Sequence, residues 1–320
     1  MKKLVSLILL LSLSLLAFAA CGKTDGDDEK PPVTRIGYFP GTTGIGMAKM
    51  INDADPAYSF TKFNSPAEIM AKLVTGEIDI AAYPTNGVPA LNAKIEGGVQ
   101  YLAVNTLGVL YLCTNGVSIE KLSDLEGKTV YFPEQAPKLV LEYILKKNNI
   151  NVTFSQSSLD LLPDQIVSGE NGVQIALLPE PKVTVAKVSA ASKGVASFAI
   201  SPVDLNAEWN QVSGNIPMVQ GCLVVRTAYA RDHATAIERF LTAYEASISY
   251  IKNTSGSGND GAAQMVVDAG ILPKVPIAKQ AIPRSNITYM VGDDMKAAVL
   301  GFLEALSATY PADGFYKPAK

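Results

Sequence analysis

Along this chain, stretches in which apolar residues return every three or four positions alternate with short continuous apolar runs, and Gly or Pro marks each change. The clearest unit spans residues 66–86. Helical spacing over 66–75 stops at Gly76, the run Ile-Asp-Ile-Ala-Ala-Tyr at 78–83 reads as a buried strand, and Pro84-Thr85-Asn86 is a polar loop. The same order returns downstream: a helix at 159–168, Gly169, the strand Val-Gln-Ile-Ala-Leu-Leu at 173–178, and the loop Pro179-Glu180-Pro181. Two copies of one helix–strand–loop unit predict an α/β fold of two similar lobes. Each lobe offers a loop at the carboxyl end of a parallel strand, the place where open α/β sheets bind ligands.

The remaining pattern fits this frame. Strands at 34–38, 58–62 and 99–104 complete the first series, and strands at 129–132, 152–155 and 195–200 the second. The run 109–114 leads out of the first lobe and the run 218–226 returns to it. The expected division is therefore 33–112 with 213–320 as the first lobe and 113–212 as the second, hinged near 111–114 and 219–223. Helices follow at 234–252 and 261–269, then an extended segment at 282–289. The last helix carries the stripe Met295, Ala298, Val299, Phe302, Leu303 and Leu306.

Candidate binding residues sit where strands end. The Gly-rich turn 39–46, with Thr42, Thr43 and Gly44, opens a helix running through 47–51. It reads either as a cradle for a polar or anionic group at the helix start or as a start that Thr43 merely caps. Thr85 with Asn86, and Asn105 with Thr106, end the next strands of the same sheet edge. In the second lobe Gln135 is either a ligand contact or a solvated turn residue. Glu180, between two prolines, either accepts from a ligand N–H or caps the helix after it. Gln220 lies where the returning strand passes the cleft. Four further residues carry two readings, the two cysteines as a pair. Trp209 either stacks on a planar ligand or packs, Arg284 either reaches the cleft or makes a surface ion pair, and Cys113 and Cys222 are either joined or two buried thiols.

Composition narrows the function. The 320 residues carry a net charge of −3, and no basic tract suggests nucleic acid. One His and three Cys leave little material for a metal site, and His233 sits in a polar Arg-Asp-His stretch. No Cys/His/Asp arrangement suggests a nucleophile. The glycines of 39–46 match neither a dinucleotide fingerprint nor a P-loop. No cofactor, metal or catalytic residue is therefore expected. At the N-terminus, Lys2-Lys3, the apolar run 4–18 and Ala19-Ala20-Cys21 have the order of a secretory signal, and residues 22–32 are polar and acidic, the composition of a flexible tether.

The N-terminal segment resembles a bacterial lipoprotein signal, which implies a lipid anchor (palmitate among its chains) on Cys21 and a position on the outer face of the cytoplasmic membrane or in the periplasm. From Thr34 onward the chain resembles the substrate-binding lipoproteins of ATP-binding cassette importers, of the nitrate/taurine/sulfonate and thiamine-pyrimidine-precursor type. The resemblance rests on Gly-Tyr-Phe-Pro-Gly-Thr-Thr-Gly-Ile-Gly (37–46), Leu-Val-Thr-Gly-Glu-Ile-Asp-Ile-Ala (73–81), Asn-Thr-Leu-Gly-Val-Leu-Tyr (105–111), Leu-Glu-Gly-Lys-Thr-Val (125–130) and Ala-Leu-Leu-Pro-Glu-Pro (176–181). It implies a type II periplasmic-binding-protein fold with two crossover strands at the hinge. It also implies ligand capture by hinge closure and delivery to a permease powered by a separate ATPase, while the absence of a charged cluster near the loops points to a small polar or weakly anionic solute. The same fold hosts enzymes of menaquinone and pyrimidine-precursor pathways, so an enzyme is the alternative.

Overall fold

The computed structural model describes residues 32–133, 135–254 and 261–317, and the backbone alone at Gln135. The expected signal segment, Cys21 and tether residues 22–31 lie outside the described residues. The first strands are β1 (Thr34–Tyr38), β2 (Tyr58–Lys62), β3 (Ile80–Pro84) and β4 (Val99–Thr106). Next come β5 (Leu110–Asn115), β6 (Thr129–Phe132), β7 (Thr153–Gln156), β8 (Ile175–Pro179) and β9 (Phe198–Ile200), and finally β10 (Gly221–Arg226) and β11 (Ile287–Met290). They form two sheets, ordered β11-β4-β10-β3-β1-β2 and β7-β6-β8-β5-β9.

The repeated sequence unit becomes a repeated topology. β1 is parallel to β2 and β3, as β6 is parallel to β7 and β8. One antiparallel strand then intervenes: β10 between β3 and β4, and β5 between β8 and β9. So β1, β3 and β4 end on the edge where β10 begins. Local chemistry explains the unit. Ser65 caps the helix Pro66–Val74 by accepting from the Glu68 N–H, and Glu68 reaches back to the Asn64 N–H. Ile69 and Leu73 bury the apolar face, and Gly76 at φ 71° turns the chain into β3. In the second copy Gly169, at φ 69°, ends the helix Leu162–Ser168 before β8. The two-lobed α/β fold expected from the sequence is the fold observed.

Two connections cross between the sheets, and they lie slightly apart from the expected hinge. β5 pairs with β8 along Leu110–Thr114, so Tyr111 to Thr114 belong wholly to the second sheet and the outward crossing is 107–109. The return runs from the helix Leu205–Ser213 to Gly221. The continuous apolar run 109–114 marked a buried strand but not which sheet would bury it.

Trp209 is fully buried between Tyr143 and Phe302, with ring centroids at 5.0 and 5.3 Å, and its Nε1–H donates to the Ile216 carbonyl at 2.7 Å. It is a packing residue of the join between lobes and offers no ring face to a ligand. Cys113 and Cys222 are free, fully buried thiols in different sheets. The joined alternative is not what the structure holds. We predict that Trp209→Ala lowers the unfolding free energy by about 3–5 kcal/mol through lost burial and the cavity left behind. Urea unfolding of the full chain measures it, and a loss below about 1 kcal/mol would contradict this packing role.

Candidate functional site

The turn after β1 is not the single capped helix that its sequence predicts. Gly41, at φ 131°, precedes a four-residue helix Thr42–Ile45, and a second helix, Ala48–Asp53, starts after Met47. The break is held from the side. A Cβ at Gly46 would lie 2.6 Å from Tyr244 Oη, and Ser247 donates to the Gly46 carbonyl at 2.6 Å. Thr43 therefore lies inside the short helix and is not its cap. A helix of one turn also has little dipole to offer an anion.

What this turn contributes instead is side chains at a point of convergence. Thr42, Thr43 and Gly44 are buried. The Thr43 carbonyl accepts from Asn105 Nδ2 at 3.0 Å, and Thr106 Oγ1 donates to Asn105 Oδ1 at 2.9 Å. A Cβ at Gly221 would stand 2.5 Å from Thr43 Cγ2, 2.7 Å from Asn105 Oδ1 and 2.9 Å from Thr106 Cβ. The ends of β1 and β4 thus close on the first residue of β10, and only glycine leaves them room. Thr85 joins them through its N–H, which donates to the Gln220 carbonyl at 3.2 Å. Half-buried Asn86 follows on the turn Thr85–Gly87. Gln220 is engaged already: its N–H donates to the Thr106 carbonyl at 2.9 Å, and its Oε1 accepts from the Val109 N–H at 2.7 Å. Thr43 Oγ1 and Thr85 Oγ1 are both buried without a hydrogen-bond partner.

In the second lobe Glu180 follows β8, and its N–H donates to the Val109 carbonyl at 2.9 Å. Its side chain is 2% exposed. Oε1 accepts from Thr184 Oγ1 at 3.0 Å, in the first turn of the helix Lys182–Lys193, and from Arg284 Nε at 2.7 Å. Burial pushes the carboxyl upward, while Thr184 and Arg284 pull it back down. Arg284 comes from the other lobe, in the turn Ile282–Arg284 that leads into β11. Its guanidinium stands 4.2 Å from the Tyr111 ring centre, and Tyr111 Oη donates to its carbonyl at 3.1 Å. Arg284 makes an ion pair, as one of its two readings had it, but with a buried carboxylate of the other lobe and not at the surface. The sequence places Tyr111 at the hinge and not among the candidate contacts, because it sits in an apolar run with no polar punctuation.

Gln135 begins the helix Gln135–Lys147 just past β6, the counterpart of the turn after β1. Its side chain lies outside the described residues. Two open grooves lie at the far ends of the sheets. One, of about 700 Å³, runs past Gln100, Arg231 and Phe315, and one of about 680 Å³ past Asn115, Gly172 and Ser197. Both are remote from the strand ends just described. Among the described residues no group of three His, Cys, Asp or Glu could hold a metal ion, and no helix is long and apolar enough to cross a membrane.

A family model described as NMT1/THI5 like matches residues 59–255. No curated protein matches the chain. Among solved structures it is similar to an ABC transporter protein from Parabacteroides distasonis, with 21% identity and a TM-score of 0.69 over 90% of this chain and 96% of that one. It is similar to the periplasmic aliphatic sulphonate binding protein SsuA from Escherichia coli, with 16% identity and a TM-score of 0.68 over 90% and 94%. It is also similar to the Candida albicans CA3427 gene product, described as having the generic periplasmic binding protein fold, with 13% identity and a TM-score of 0.53 over 86% and 89%. At these identities the likeness establishes the fold.

The orphaned Thr43 hydroxyl costs free energy where it stands. We predict that Thr43→Val, which keeps its shape, raises the unfolding free energy by about 1 kcal/mol. Urea unfolding measures this, and a loss of 1 kcal/mol or more would mean that the hydroxyl is paired.

Proposed function

We propose a function from one premise: the chain belongs to the NMT1/THI5-like family. It is the solute-binding component of an ABC-type importer. It captures a small polar solute between its lobes and hands it to a membrane permease driven by a separate ATPase. The observation that carries this is the convergence of Thr43, Asn105 and Thr106 on Gly221, with Thr85 held beside them by Gln220 and Glu180 offered from the other lobe. Polar groups brought to one edge, some already oriented and some unpaired inside, suit recognition by hydrogen bonds. The buried thiols do not favour an enzyme, because burial pushes both Cys113 and Cys222 upward and away from the reactive thiolate. The E. coli neighbour is described as binding aliphatic sulphonates, so sulfonates belong among the solutes tried.

The test is a thermal-shift screen of the full chain with nitrate, bicarbonate, taurine, alkanesulfonates, aminopyrimidines, riboflavin and small aromatic acids, each recovered afterwards. A solute at a hundred times its Kd stabilises the folded state by about 2.7 kcal/mol, a clear rise in Tm. Thr43→Val and Asn86→Ala are expected to weaken that solute about tenfold each, roughly the worth of one hydrogen bond. Unchanged affinity in both would remove the site from this edge. A solute recovered chemically altered would favour an enzyme.

We further propose that Cys21 carries a lipid anchor that keeps the protein at the outer face of the membrane. Cells grown with labelled palmitate should label the wild-type chain and leave Cys21→Ser unlabelled. Equal labelling would refute the anchor at this residue.

A further inference from the structure

Two of the arginine–carboxylate pairs among the described residues differ in one respect. Arg35 meets Asp79 with its whole side edge, Nε to Oδ2 at 2.9 Å and Nη2 to Oδ1 at 2.5 Å. Arg284 meets Glu180 through Nε alone, at 2.7 Å to Oε1. Its Nη2, on the same edge, and Glu180 Oε2 are both buried without a hydrogen-bond partner. The first pair lies within one lobe, between β1 and the residue that precedes β3. The second joins the lobes. Buried donors and acceptors are nearly always paired, so a half-made fork between two lobes singles out one place.

We propose that Arg284 and Glu180 form a clasp that holds the lobes together, and that the unmade half of their fork selects an uncharged ligand group with an acceptor and a donor side by side. This rests on the solute-binding function proposed above and specifies its substrate class. The group must accept from Nη2 and donate to Oε2. A carboxamide or lactam edge does both, and a hydroxyl does so with one atom. A sulfonate or carboxylate would satisfy Nη2 but face Glu180 with like charge, and an ammonium would do the reverse. The two protein charges cancel, so a neutral group adds no unpaired charge to a buried place. The Tyr111 ring packs against the guanidinium and its hydroxyl holds the Arg284 backbone carbonyl, which leaves the Nη2 edge as the variable one.

Two measurements test the proposal on the full chain at neutral pH. In the first, spin labels on Ser59→Cys and Ser192→Cys in a Cys21→Ser background report the distance between the lobes with no solute added. Arg284→Met should lengthen or broaden that distance, and Arg284→Lys, which keeps the charge, should preserve it. An unchanged distribution in Arg284→Met overturns the clasp. In the second, ligand-observed NMR compares 2-pyridone, a neutral lactam, with propane-1-sulfonate. The wild type should bind 2-pyridone in preference, and both Arg284→Lys and Arg284→Met should weaken it at least tenfold. Failure of 2-pyridone to bind, or equal binding by Arg284→Lys, overturns the selectivity. Binding of propane-1-sulfonate alone overturns it as well, yet leaves the solute-binding function standing.

Discussion

The structure depends on how three backbone groups and one side chain meet at Gln220. Its N–H reaches the end of β4, its carbonyl holds the start of the Thr85 turn, and its side-chain oxygen holds Val109 on the outward crossing. Buried backbone groups in connections must find partners, and leaving one unmade costs about 1–3 kcal/mol. One residue satisfies groups from both crossings, so the place where the lobes join is also the place where the strand ends are aligned. Gly221 completes the constraint. It lets Thr43, Asn105 and Thr106 close on β10 at distances that any side chain there would prevent.

Much of this was legible in the sequence. The repeated helix, Gly, strand and polar loop at 66–86 and 159–181 became one topology used twice, because periodicity reports which face an element buries, and Gly and Pro report where it stops. The strand ends at Thr85 and at Asn105 with Thr106 could be placed on one edge for the same reason. The break at Gly46 was not legible. It depends on Tyr244 and Ser247, far along the chain, and local spacing around 43–51 still reads as one helix. The hinge shifted for a related cause, since an apolar run says nothing about which sheet receives it.

Arg284 and Tyr111 show the same limit at the site. A lone arginine among apolar neighbours has two ordinary fates, solvent or a buried partner, and only distance separates them. A tyrosine inside a strand looks like packing until its ring is seen against a specific cation and its hydroxyl on that residue's carbonyl. Glu180 was easier, because a carboxylate held between two prolines at the end of a buried strand stands out on residue type alone. Its partner was the hidden half, supplied by a segment more than one hundred residues downstream.

The two lobes hold their polar groups in different ways, and under the proposed solute-binding function this bears on how closure would work. In the first lobe Asn105, Thr106 and the Thr43 carbonyl are tied to one another, so that surface is organised whatever the second lobe does. In the second lobe Glu180 has Thr184 from its own side, and its remaining donor comes from across the cleft. Opening the cleft would give that carboxylate back to water, and closing it exchanges water for Arg284. Such exchanges nearly balance, because desolvating two charges costs about as much as their attraction returns. A clasp of this kind sets the geometry of the closed form without locking it. The free energy that decides between open and closed is then left to whatever pairs with Nη2 and Oε2, and a solute can tip the equilibrium only by its differential interaction with the closed form.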